Sequence, residues 1–120
     1  MRTIIAGSRG ASWEQVSQAL DQCPWRTEIS LVVSGTAKGA DTWGECWAAM
    51  NKIPVKKYPA DWDSYGKKAG ILRNIEMGAN ADALVAVWDG QSYGTKHMIG
   101  VAESAGLTVF VYRTNEEICK

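Results

Sequence analysis

The sequence predicts an α/β fold, a Rossmann-like three-layer α/β/α sandwich built on a mainly parallel five-stranded sheet. Three observations carry this. Short apolar runs alternate with segments of helical periodicity in the order β-α-β-α-β-α-β-α-β. Some of these runs are apolar almost throughout, as strands buried on both faces of a parallel sheet are. Glycine-rich loops leave three of them. The short connections imply right-handed crossovers with helices on both faces.

The first strand is Thr3-Ile4-Ile5-Ala6, too brief and too β-branched for a helix, and it ends at Gly7. Ser12 is placed to N-cap a first helix whose Trp13, Val16, Leu20 and Cys23 share one face, with Pro24 marking its end. The run 29–33, polar only at Ser30, is the second strand and breaks into Ser-Gly-Thr-Ala-Lys-Gly. Trp43, Cys46, Trp47 and Met50 keep helical spacing, which predicts a second helix with two tryptophans on its inner face. Pro54 opens a third strand over 55–58, where Lys56 and Lys57 suit a sheet edge. An irregular excursion is expected over 59–68. A third helix over 69–79 is expected to bury Leu72, Ile75 and Ala79 while Arg73, Asn74 and Glu76 face elsewhere. The run 83–88 is the fourth strand, broken at Asp89-Gly90. Met98, Ile99, Ala102 and Ala105 mark a fourth helix closed by Gly106, and 107–112 the fifth strand.

A length of 120 residues suits one domain spanning 1–120, with one sizeable core. Net charge is zero and both signs are mixed along the chain, so a long stretch of duplex DNA is not an expected partner. The first apolar run is too short for a signal-peptide core and no later run is long enough to span a bilayer, so the expectation is a soluble cytoplasmic protein with no membrane partner. Cys23, Cys46 and Cys119 form an odd set without C-x-x-C or metal-ligand spacing and read as structural thiols, with no metal site. Phe110 is the sole phenylalanine, so some of the six tryptophans must fill the core.

In an open parallel sheet, ligands bind outside the carboxyl ends of the strands, where strand order reverses. Three loops leave such ends: Gly7-Ser8-Arg9-Gly10, Ser34-Gly35-Thr36-Ala37-Lys38-Gly39, and the stretch from Asp89 through Ser92 to Gly94 and Thr95. In the second, glycines let backbone amides approach an anion and the next helix adds its dipole, with Lys38 charge and the Ser34 and Thr36 hydroxyls in support. The alternative is an ordinary βα turn in which Thr36 caps the helix. Neither the Walker pattern nor the G-x-G-x-x-G fingerprint is present, so no kinase or simple dehydrogenase, and no cofactor, is expected. Asp41 lies in the first turn of the second helix. The helix dipole alone can account for it, or it accepts hydrogen bonds from ribose hydroxyls and is the candidate catalytic residue. Arg73 can pair with Glu76 or reach a ligand phosphate. Gly94-Thr95 precedes a helix and offers a second anion site, and His97 is expected at the surface. Trp62 and Trp88 are candidates for base stacking or for loop packing.

G-S-R at 7–9, V-S-G-T-A-K-G-A-D at 33–41, P-A-D-W at 59–62, Y-G-K-K-A-G-I-L-R-N at 65–74 and W-D-G-Q-S-Y-G-T-K-H-M-I at 88–99 resemble the YpsA-related branch of the SLOG superfamily, which also includes DprA and the LOG phosphoribohydrolases. The resemblance runs along essentially the whole chain. It implies a nucleotide-type pocket lined by Gly7, Ser8, Arg9, Gly35, Gly39, Asp41, Arg73, Asn74, Gly94 and Thr95, and it often implies a homo-oligomer. LOG enzymes carry P-G-G-x-G-T followed by an acidic residue. Here the stretch is D-G-Q-S-Y-G-T-K-H-M-I, with no glutamate before Glu103, which removes the expected general acid.

The expected function is therefore binding of a nucleotide or a nucleotide-derived signal such as an ADP-ribose derivative, as a sensor or as a sponge of the kind a virus could use against host immunity. The alternatives are hydrolysis of a nucleotide N-glycosidic bond and, by analogy with DprA, binding of single-stranded DNA.

Overall fold

The computed structural model describes residues 1–114. In chain order the elements are β1 (Arg2–Gly7), α1 (Trp13–Gln22), β2 (Leu31–Ser34), α2 (Ala40–Met50), β3 (Val55–Lys57), α3 (Trp62–Tyr65), α4 (Ala69–Ala79), β4 (Ala83–Trp88), α5 (Tyr93–Ser104) and β5 (Thr108–Arg113). The strands form one sheet in the order β3-β2-β1-β4-β5, with every neighbouring pair parallel. This is the expected α/β sandwich, with β3 and its two exposed lysines at an edge.

Two cores lie on opposite faces of the sheet because strand side chains alternate. Ile5, Val32, Val85 and Val87 meet Val16 and Leu20 of α1 and Trp47 of α2. Ile4, Ala6, Val33, Leu84 and Ala86 meet Met77 of α4 and Met98 and Ala102 of α5. Double-sided burial explains why β1, β2 and β4 read as nearly continuous apolar runs; each fully buried Ile, Leu or Val contributes roughly 1.5–3 kcal/mol. Thr3 is fully buried and accepts a hydrogen bond from Trp25 Nε1 at 3.2 Å.

α1 is capped as expected. Ser12 Oγ accepts from the Gln15 amide at 3.1 Å, and Gln15 Oε1 accepts in return from the Ser12 amide at 3.0 Å.

Several expectations require correction. Of the four residues expected on the inner face of α2, only Trp47 is buried; Trp43, Cys46 and Met50 are exposed. The helix turns its small residues to the sheet because it runs too close for large ones: a methyl on Gly44 would stand 2.7 Å from Ile5 Cγ2. Trp43 instead meets Trp13 edge-on at 6.2 Å between ring centres. Cys23 is buried as a structural thiol should be, Cys46 is not, and Cys119 lies outside the described residues. The excursion over 59–68 contains α3, whose N-cap Asp61 accepts from the Ser64 amide at 3.2 Å, and a 3₁₀ turn over Gly66–Lys68.

The boundaries of α4 are as expected but its face is not. Leu72, Ile75 and Ala79 are exposed, whereas Asn74, Met77 and Gly78 are buried. Close packing against α5 sets this rotation, since a methyl on Gly78 would lie 2.7 Å from Val101 Cγ1, and Asn74 finds partners inside. α5 begins at Tyr93, so Gly94 and Thr95 form its first turn rather than preceding it, and Ala105 falls just past its end. No described helix is long and apolar enough to cross a membrane.

Candidate functional site at the strand ends

β1 is flanked by β2 and β4, whose following helices lie on opposite faces, so the crevice at the carboxyl ends of these strands is the topological switch point. Gly7 brings the strand ends together, because a methyl there would sit 2.1 Å from the Val87 carbonyl oxygen. Ser8 ties all three loops. Its Oγ accepts from the Asp89 amide at 3.0 Å and bonds Ser92 Oγ at 3.1 Å, while its carbonyl accepts from the Ala40 amide at 3.3 Å. Arg9 stands exposed at the tip of this loop.

The loop 34–39 is internally satisfied. Ser34 Oγ donates to Glu45 Oε2 at 2.6 Å and accepts from the Thr36 amide at 3.1 Å. Asp41 Oδ2 accepts from the Ala37 amide at 3.2 Å. Thr36 does not cap the helix; it has φ 62°, and the N-cap is Gly39 at φ 81°. Gly39 passes so close to the first loop that a methyl would lie 2.4 Å from the Arg9 carbonyl oxygen. Lys38 points to solvent.

Asp41 is only 5% exposed. Burial pushes its carboxyl up to about 6; the Ala37 amide and the Arg73 guanidinium hold the rise back, and Glu45 adds to it. Arg73 ignores Glu76. Its Nη1 donates to the Gly35 carbonyl and its Nε to Asn74 Oδ1 at 3.0 Å. Burial lowers the guanidinium below its ordinary value, against the pull of Asp41.

Asn74 joins this wall to the third loop. Its Nδ2 donates to the Gly94 carbonyl at 3.4 Å and lies 3.0 Å from His97 Nδ1. Asp89 closes the third loop on itself, accepting from the Gln91 and Ser92 amides at 2.8 Å each; these bonds hold its carboxyl below the usual range. Ser92 spends its hydroxyl on Ser8 and Asp89 and leaves α5 without a side-chain cap. The amides of Tyr93, Gly94 and Thr95 are consequently without acceptors among the described residues.

Beside Arg73 a cavity of about 280 Å³ opens between α3 and α4, lined by Asp61, Tyr65, Leu72 and Glu76. Trp62, 55% exposed, rests against Gly70 near this rim. Trp88 is half-buried: the Arg113 guanidinium lies 5.3 Å from its ring centre, and its Nε1 donates to the Ser92 carbonyl at 3.1 Å.

The crevice therefore gathers Gly7, Ser8, Ser34, Gly35, Gly39, Asp41, Arg73, Asn74, Gly94 and Thr95. It leaves Thr36 and Lys38 exposed at the tip of the second loop and commits Asp89 and Ser92 to loop structure. Sequence reasoning missed Glu45, although its position four residues after Asp41 puts it on the same helical face, and it missed the inward turn of Asn74 and His97.

The model of the YspA, cpYpsA-related SLOG family matches residues 1–65. The chain belongs to that family. A relative within reach of whole-length alignment is the Gene 61 protein of Mycobacterium phage D29, 38% identical over 120 aligned residues that span 90% of this chain and 93% of the phage protein. Among solved structures, this SLOG family member superposes on DNA processing protein A (DprA) from Streptococcus pneumoniae with a TM-score of 0.70 at 19% identity. The match covers 92% of this chain but only 49% of DprA, so the chain spans about half the length of that protein and the likeness is one of fold.

Proposed function

We infer that the protein binds a nucleotide or nucleotide-derived ligand of the ADP-ribose kind across the carboxyl ends of β1, β2 and β4 and holds it without turning it over. One observation carries this reading: of the buried polar side chains among the described residues, Ser8, Ser34, Asp41, Asn74 and Thr95 all gather at this edge, and only Thr3 lies elsewhere. Buried polar groups cost stability unless partnered, so their concentration at one edge points to a role beyond folding.

The division of labour follows from which donors are already spent. Ser34 and Asp41 occupy amides of the loop 34–39, so the unspent amides of Tyr93, Gly94 and Thr95 take the phosphate, aided by the α5 dipole. Asp41 accepts from ribose hydroxyls, Arg73 supplies positive charge between the two loops, and the cavity beside Tyr65 receives the base. A phage-encoded relative supports a sequestering role, and zero net charge favours a small ligand over DNA.

Protein purified from cells and denatured should release an intact nucleotide derivative, identified by mass spectrometry. Calorimetric titration with ADP-ribose and with adenosine monophosphate should show binding that Arg73→Ala weakens by about tenfold or more, as expected for a hydrogen bond to a charged group. No co-purifying nucleotide and no heat with either ligand would overturn the reading.

The raised carboxyl of Asp41 favours a second reading, cleavage of a nucleotide N-glycosidic bond. A group titrating at about 6 can carry a proton near neutrality and hand it to a departing base, supplying the acid that the loop at Gly94 lacks. Release of free base during incubation, lost in Asp41→Asn with binding retained, would establish it in place of simple binding.

A further inference from the structure

Three side chains run in a line from the ligand crevice to the outer face of α4 and α5. Arg73 Nε donates to Asn74 Oδ1 at 3.0 Å, Asn74 Nδ2 donates to the Gly94 carbonyl at 3.4 Å, and the same Nδ2 lies 3.0 Å from His97 Nδ1. Asn74 is buried, whereas His97 is half-buried and borders an open groove between α4 and α5, so a proton from solvent can reach the ring. It is the sole histidine of the chain.

Two of these contacts constrain the third. A guanidinium nitrogen only donates and a backbone carbonyl only accepts, so Arg73 and Gly94 together turn the Asn74 oxygen towards Arg73 and its amide nitrogen towards Gly94. One Nδ2 hydrogen serves Gly94. The other meets His97 Nδ1 as a hydrogen bond only where that ring nitrogen carries no proton. A charged ring, protonated on both nitrogens, would set N–H against N–H. Turning the Asn74 amide over would set its nitrogen against Arg73 Nε and its oxygen against the Gly94 carbonyl. No orientation of the amide satisfies all three partners once His97 is charged, and an unpaired buried amide is costly.

We propose that His97 is a positioning residue for the crevice: as a neutral acceptor it holds Asn74, through Asn74 it holds Arg73 and the first turn of α5, and its protonation releases both. Arg73 and the α5 amides are the phosphate grip of the proposed function, on which the consequence for binding rests. A ligand held there favours the neutral ring, so acidification weakens binding through His97. Histidine is the side chain that ordinarily changes charge between about pH 5 and about pH 8. Arg73 approaches this ring from α4 through Asn74, and Tyr93 and Lys96 border the same groove from α5. The sheet beneath α5 presents Ile4, Ala6, Leu84, Ala86 and Val109, none of which titrates. Asp41, beyond Arg73, titrates at about 6 and is removed as Asp41→Asn in the test.

A single histidine makes the test direct. Heteronuclear NMR of the free protein at neutral pH should show His97 Nδ1 without a proton. Titration of the ring with acid should move the Arg73 Nε–H and Asn74 side-chain amide resonances with the same midpoint, in the wild type and in Asp41→Asn alike. With ADP-ribose as the probe, calorimetry should show His97→Ala binding about tenfold more weakly at neutral pH. His97→Asn, whose side chain can place an oxygen near the position of Nδ1 and takes up no proton, should recover most of that loss. Its affinity should also fall less than that of the wild type between about pH 7.5 and about pH 5.5. A proton on Nδ1 at neutral pH, Arg73 and Asn74 resonances indifferent to the ring, or His97→Asn as weak as His97→Ala would each overturn the proposal. ADP-ribose binding to none of these proteins would count against the proposed function alone, because the resonances of the free protein still decide the role of His97.

Discussion

Asp41→Asn offers a test whose size and sign both follow from the structure. The carboxyl rises from 3.8 to about 6 because burial strips its solvation more than Ala37 and Arg73 replace it. At roughly 1.4 kcal/mol per pH unit, the ionised group is about 3 kcal/mol less favourable in the folded chain than in the unfolded one. The folded state binds the proton more tightly, so this contribution to stability is complete below the unfolded value and is lost as pH rises through about 6.

Asparagine keeps the shape and an acceptor for the Ala37 amide but has no proton to lose. Allowing for the weaker neutral hydrogen bond, the variant should be more stable than wild type by about 1–3 kcal/mol near neutral pH, or several degrees in Tm. Urea unfolding followed by tryptophan fluorescence, repeated from about pH 4 to about pH 7.5, should show the gap vanish at the acid end. A variant less stable than wild type at neutral pH, or a gap that does not change with pH, would show that burial does not raise the Asp41 carboxyl. If the gap appears together with weakened ligand binding, Asp41 is a residue held at a cost to stability for its function.

Gly39→Ala should destabilise the protein by more than an ordinary surface substitution, about 1–3 kcal/mol, and weaken ligand binding. It forces φ 81° on a residue with a side chain and drives a methyl to 2.4 Å from the Arg9 carbonyl oxygen. Unchanged urea unfolding would show that the first two loops can separate freely. Ser12→Ala removes the acceptor for the Gln15 amide and breaks the capping box of α1, for an expected loss of about 1 kcal/mol with ligand affinity intact. A loss of affinity in calorimetry would mean that α1 is coupled to the crevice.

The fold was legible because its signals are local or periodic. β1, β2 and β4 are apolar at almost every position, since each is covered on both sides, and such runs have no counterpart in an amphipathic sheet. The ends of α1 were legible in Ser12 and Pro24, which act on the backbone within a few residues. The glycine loops at Gly7, Gly35 and Gly39 also announced themselves, because each marks a close approach that a side chain would block. The outline of the site was therefore present in the chain before any contact was known.

Rotation of the helices was not. Helical periodicity gives the spacing of α4 but cannot say whether Leu72 and Ile75 or Asn74 and Met77 face inward, because both stripes run along the helix at proper intervals. Packing of Gly78 against Val101 decided it, and that turned an expected core stripe into an exposed patch and brought Asn74 to Arg73, Gly94 and His97. The ionisation of Asp41 is likewise a tertiary property, for desolvation depends on every atom around the carboxyl. The order of the elements and the loops that carry the site could thus be read along the chain. Which donors those loops leave unspent, and which apolar faces remain in water, could not, because both are sums over neighbours distant in the chain.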